Sequence, residues 1–257
     1  MLGTIRYFLI LFMGLAGVFV FSIHIQTEAR AQSQSCDIAL VLAIDASSSV
    51  DDQEYRLQME GTASALMNPN VLDAIVSLNG VYLAGFEWNG ETNQSLLFDW
   101  SYLRSEADVA AVAQQIVTHV RNNRKAPTAL GSALTYAHGL LGNLPTTCWR
   151  NVIDVSGDGV SNHGIVPAAV YRIFDFSQIT VNGLAIINPK RRNTSFYSAL
   201  DEYYAAELLH GPAAFVIVAE GFEDFARAMK EKLLKELTPT QIGMLEGDHV
   251  KPKASVE

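Results

Sequence analysis

The sequence predicts an α/β fold: a doubly wound, mostly parallel six-stranded sheet with one antiparallel edge strand and helices on both faces. Three observations lead there. Four short runs, Ile38–Asp45, Asn151–Ser156, Ile179–Ile187 and Ala213–Ala219, are rich in Val, Ile and Ala with little alternation. That pattern marks parallel strands covered on both faces. Two further runs, Gly80–Trp88 and Ser95–Leu103, flank Asn89-Gly90, a turn pair that joins them as a hairpin and makes one of them antiparallel. Segments with helical spacing alternate with the strands, as an open sheet with both faces covered requires.

The helices follow in order. Asp51 and Glu54 resemble a capping box, ahead of apolar Tyr55, Met59, Ala63 and Leu66. Ser105 opens a second helix carrying Val109, Val112, Ala113, Ile116, Val117 and Val120. Thr128 opens a third, with Ala133, Leu134, Ala137, Leu140 and Leu141 on one stripe and Gly142 as its stop. A fourth covers Pro167–Phe176, and a fifth runs from Thr194 to His210, halted by Gly211-Pro212. The last, Phe222–Leu237, is amphipathic through Phe225, Ala226, Met229 and Leu233.

The first 31 residues read as an export signal. Arg6 precedes the apolar run Tyr7–Ile23, and Ala29-Arg30-Ala31 supplies a small-x-small cleavage site before Gln32. Left uncleaved, the segment would be a membrane anchor, and only then would the protein contact a membrane. Residues 36–238 form the expected domain, and 239–257 a polar tail without periodicity. The expected location is extracytoplasmic: a bacterial periplasm or the outside of the cell. The formal charge of −9 argues against a nucleic-acid surface, where basic patches dominate affinity, and is compatible with cation binding.

Ligands of an open parallel sheet bind outside the carboxyl ends of the strands, where strand order reverses. Oxygen-bearing side chains from three segments fall at that edge: Asp45, Ser47 and Ser49 after the first strand, Thr128 in "APTALGSAL", and Asp158 in "VIDVSGDGVS". All are hard donors, a set that suits Mg²⁺, with Mn²⁺ or Ca²⁺ as alternatives. Taken singly, each has a plain reading as a helix cap or a solvated loop residue; the metal reading rests on their convergence.

These residues carry a resemblance. Asp45-Ala46-Ser47-Ser48-Ser49 matches the Asp-x-Ser-x-Ser motif of von Willebrand factor A (vWA) domains. Thr128 and Asp158-Gly159 stand where that family's metal-ion-dependent adhesion site (MIDAS) has its threonine and second aspartate. The chain also resembles a family of exported bacterial vWA-like proteins. Two features depart from the pattern: Thr128 follows Ala126-Pro127 where many A domains have glycines, and an extra glycine, Gly157, precedes Asp158. The resemblance implies a divalent cation held by Ser47, Ser49 and Thr128, balanced by Asp45 and Asp158, and completed by an Asp or Glu on a protein ligand.

Cys36 lies nine residues before Asp45, and Cys148 ten before Asp158. If the two strands are parallel neighbours, the cysteines meet at the far edge, close enough for a disulfide. Weaker site candidates are Glu87 at a strand end, and Asn162 and His163 after Asp158, as rim or supporting residues. Asp154, inside an apolar strand, needs a partner such as a core Arg or Tyr. An enzyme is not expected, because the chain has no Gly-x-Ser-x-Gly elbow, no His-Glu-x-x-His and no phosphate loop with lysine. The competing functions are a Mg²⁺-dependent hydrolase and a domain whose ion only braces its loops.

Overall fold

A computed structural model describes residues 36–122, 125–187 and 199–238. The export signal, the polar tail and the start of the fifth predicted helix lie outside them. Strands are β1 Ile38–Asp45, β2 Val81–Asn89, β3 Asn93–Leu103, β4 Arg150–Gly157, β5 Ile179–Ile186 and β6 Val216–Ala219. Their order in the sheet is β3-β2-β1-β4-β5-β6. Every pairing is parallel except β2 with β3, which forms the antiparallel edge. The fold class read from the sequence therefore holds. The reversal of strand order falls between β1 and β4, the position where such sheets form their binding crevice.

Helices α1 (Asp52–Leu66), α2 (Pro69–Ser77), α3 (Glu106–Thr118) and α7 (Phe225–Leu237) are joined by mutual contacts on one face, and α4 (Leu130–Gly142), α5 (Pro167–Ile173) and α6 (Leu200–Tyr203) cover the other. Alternation along β1 divides the core. Ile38, Leu40, Leu42 and Ile44 pack in the cluster with α1 and α7, whereas Val41 and Ala43 pack with Leu130, Leu134 and Tyr204. The capping box of α1 forms as read: Asp51 Oδ1 accepts the N–H groups of Gln53 and Glu54, and Glu54 Oε2 accepts that of Asp51.

Several boundaries shift for physical reasons. Helix α2, absent from the sequence reading, is only nine residues long and buries Val71 and Ile75, too few to set a period. Helix α4 starts at Leu130, two residues after Thr128, with no side-chain cap, because the Thr128 hydroxyl is engaged elsewhere. Strand β6 keeps only four residues, the chain before it being turned by Gly211 (φ 83°) and Ala213 (φ 56°). The end of the fifth helix is α6 followed by a π-helical turn, Tyr204–Leu208.

Cys36 and Cys148 form a disulfide with Cα atoms 4.5 Å apart. The β1–β4 register sets Ile38 against Arg150, and the two cysteines precede these by two residues each, so they face each other directly. The one-residue offset between the aspartates arises at the other end, where Asp45 lies level with Gly157.

Asp154 is buried and paired with a lysine, not the Arg or Tyr expected. Lys232 Nζ of α7 lies 2.6 Å from Asp154 Oδ1 and 2.7 Å from Glu236 Oε1, with all three side chains at most 1 % exposed. Asn182 Nδ2 donates to the same Glu236 oxygen at 2.9 Å.

Replacing both cysteines by alanine is expected to cost about 2–5 kcal/mol of stability, read as a lower denaturation midpoint. Lys232→Met leaves two buried carboxylates without their cation and is expected to cost about 3–5 kcal/mol by the same measurement.

Candidate metal-binding site

The C-terminal ends of β1 and β4 bring Asp45 and Asp158, both fully buried, together at one end of the sheet. Asp45 ends its strand facing the α4 side, and its Oδ1 accepts the Ser47 N–H at 2.7 Å. That bond curls the chain so that the Ser47 and Ser49 hydroxyls lie 3.0 Å apart. Thr128 Oγ1 donates to Ser47 Oγ at 3.3 Å, and Ser49 Oγ donates to Asp158 Oδ1 at 2.5 Å. Three hydroxyls and a carboxylate from three separate loops thus form one continuous chain of oxygens. Ser49 is half-buried and Ser48 exposed, so the set opens to solvent on the side of the serine loop.

The serine loop is held largely through its main-chain carbonyls. Arg121 Nη2 donates to the carbonyls of Ala46 (2.7 Å), Ser47 (3.0 Å) and Val50 (2.9 Å). Gln58 Nε2 donates to Asp45 O at 3.0 Å, Asn89 Nδ2 to Ala46 O at 3.3 Å, and Ser48 N–H to Ala126 O at 2.9 Å. Sequence reasoning missed Arg121, Gln58 and Asn89, since nothing in their local pattern points at a loop distant in sequence.

Glu87 is not at the rim. It is 1 % exposed and lies beside Ile44 in register, so strand alternation aims it at α1. Its oxygens accept from Tyr55 OH at 2.6 Å and Asn122 N–H at 2.8 Å, and His119 Nε2 is 3.5 Å away. Glu87 thereby anchors the segment that carries Arg121. Asn162 does support the site: its Oδ1 accepts the Thr128 N–H at 3.0 Å, and its own N–H donates to Thr128 O at 2.9 Å. His163 N–H also reaches Thr128 O, but its ring turns outward to Glu91, 2.9 Å away.

Electrostatics decides what the pocket can hold. Burial first, and then the neighbouring Asp158 charge, raise the Asp45 carboxyl from 3.8 to about 7 against the lowering effect of hydrogen bonds from Ser47 and Asp158. No basic side chain is among the groups that set its ionisation. Asp45 Oδ2 is buried with no hydrogen-bond partner. No group of three or more His, Cys, Asp and Glu side chains suited to a metal ion exists among the described residues. A cation here would be held by two carboxylates and three neutral hydroxyls, all hard donors, and would offset the charge that burial makes costly at Asp45. The residues present fit a small divalent ion.

No curated protein matches the sequence. Solved structures with a similar fold include proximal thread matrix protein 1 (PTMP1) from the mussel byssus with zinc occupied MIDAS motif. It is 17 % identical with a TM-score of 0.55, the match covering 79 % of this chain and 48 % of that one. A von Willebrand factor type A structure from Catenulispora acidiphila is 18 % identical with a TM-score of 0.53, covering 79 % and 43 %. The open conformation of the pilus adhesin SpaC from Lactobacillus rhamnosus GG is 9 % identical with a TM-score of 0.54, covering 80 % and 30 %. The chain spans less than half the length of each, and at these identities the likeness is one of fold: a vWA-like domain. A family profile described as "Protein of unknown function (DUF1194)" matches residues 35–241, and the chain belongs to that family.

Proposed function

We propose that the chain is an exported binding module that captures a protein ligand through a divalent cation, Mg²⁺ foremost. Ser47, Ser49 and Thr128 would offer neutral oxygens, and Asp45 and Asp158 would balance the charge. A dication held largely by neutral hydroxyls keeps an electrophilic position that accepts a carboxylate from a ligand's Asp or Glu. The observation that carries this reading is the buried Asp45, with Oδ2 lacking a hydrogen-bond partner among the described residues, beside Asp158 and a linked run of three hydroxyls. A structural neighbour whose MIDAS motif holds zinc supports cation binding on this fold, and a pilus adhesin among the neighbours supports protein capture. Export is supported by the disulfide, which persists in oxidising compartments. The reading is of a binding protein and not an enzyme. The ring of His163, close to the site in sequence, is turned away to Glu91.

Thr128→Ala tests the reading. The hydroxyl is removed from a position that caps no helix, so the fold is expected to stand. Wild type should gain about 2.7 kcal/mol of stability at Mg²⁺ a hundredfold above its Kd, and the variant should lose most of that gain. In a pulldown from an extracytoplasmic fraction, the ligand should be retained by wild type in Mg²⁺ and released by chelator, and Thr128→Ala should retain none. Equal recovery with and without chelator would refute cation-mediated capture.

The proton linkage has a definite sign. Asp45 binds its proton more tightly folded than unfolded, so its contribution favours the folded state at low pH and is lost as pH rises from about 4 towards about 7. Asp154, raised to about 7 by burial and by Glu236 against the pull of Lys232, acts in the same direction. In chelator, stability should therefore fall between about pH 5 and about pH 7.5, less steeply in Asp45→Asn. Mg²⁺ competes with the proton, so the stabilisation it brings should grow over the same interval. Denaturation midpoints at the two pH values, with and without Mg²⁺, measure both.

A further inference from the structure

The connection between β5 and β6 delivers one more side chain to the site. Tyr204 opens the π-helical turn after α6 and is fully buried on the same sheet face as Asp45. Two glycines on adjacent strands clear its path. A Cβ on Gly183 of β5 would meet the tyrosine ring at 2.8 Å. A Cβ on Gly157 of β4 would lie 2.7 Å from the Tyr204 hydroxyl and 2.8 Å from Asp45 Oδ2. Gly157 is the extra residue that precedes Asp158, and its lack of a side chain is what lets these two oxygens flank one point.

Neither oxygen has a hydrogen-bond partner. A buried phenolic hydroxyl left unsatisfied is destabilising, so packing alone would be served better by phenylalanine. π-Turns also recur at functional sites, where they re-aim a side chain that a regular helix would point elsewhere.

We propose that Tyr204 is a positioning residue of the cation site, its hydroxyl donating toward Asp45 Oδ2 when a divalent ion is bound, and that Gly157 is required to admit it. The proposal rests on the cation-binding reading and extends it to the β5–β6 connection. Tyr204 would orient the one carboxylate whose inner oxygen is already committed to the Ser47 N–H. Supporting partners of this kind are typically worth 10–100-fold in metal affinity.

Tyr204→Phe and Gly157→Ala test it through Mg²⁺ titration calorimetry and melting in chelator. Tyr204→Phe is expected to weaken Mg²⁺ binding about 10-fold while its melting temperature in chelator stays level or rises, because an unsatisfied hydroxyl has gone. Gly157→Ala should weaken binding at least as much. A packing role predicts the opposite pairing, a lower melting temperature with unchanged Mg²⁺ affinity, and that result overturns the proposal. Unchanged affinity and unchanged melting would overturn it equally. If wild type itself gives neither heat nor a melting shift with Mg²⁺ or Mn²⁺, the cation reading falls and takes this one with it. Wild-type binding that Tyr204→Phe retains in full sinks the tyrosine alone.

Discussion

Two pairs of carboxylates lie buried in this domain, and the difference between them organises the structure. Asp154 and Glu236 share Lys232, which sits between them on the α7 face of the sheet. Asp45 has no basic side chain among the groups that set its ionisation, and the neighbouring Asp158 charge adds to the cost of its burial. One pair is settled by a lysine, whereas at the other Asp45 keeps an oxygen without a hydrogen-bond partner among the described residues. The cost is concentrated where strand order reverses, the one edge of the sheet open to a ligand. The loops there are stabilised through their carbonyls by Arg121, Gln58 and Asn89.

This division of labour explains why the site can be closely built and still accessible. Main-chain acceptors tie the serine loop to α1, β2 and the segment after α3, while Asn162 clasps both polar groups of the Thr128 backbone. Each donor side chain is thus attached to a restrained backbone.

Much of the fold was legible because its strands are covered on both faces. Ile38–Asp45 and Ile179–Ile186 have to be apolar throughout, and few other elements of that length are. Asp45, Ser47, Ser49, Thr128 and Asp158 were legible as a group since each follows a strand or precedes a helix. Parity was harder. Strand β2 carries register shifts around Gly85, and Glu87, read as a rim residue, sits on the α1 side. Residues whose role arises from tertiary approach left no mark in the local pattern: Arg121 reaches three carbonyls more than seventy positions earlier in the chain. Tyr204 is of the same kind, an aromatic that periodicity assigns to the core and that the core does hold, ring first. Gly157 had been noticed as an irregularity, but only the position of that ring gives it a reason.

The disulfide and the oxygen pocket occupy opposite ends of β1. Tension applied between the serine loop and the chain upstream of Cys36 would run lengthwise along this central strand, whose ladders to β2 and β4 lie on either side. Those hydrogen bonds would be loaded together in shear, not peeled one after another, and the covalent link to Cys148 would pass part of the pull directly into β4. The sheet is thus arranged as a tie-bar, with its strongest direction pointing from the sulfur bridge towards the serines.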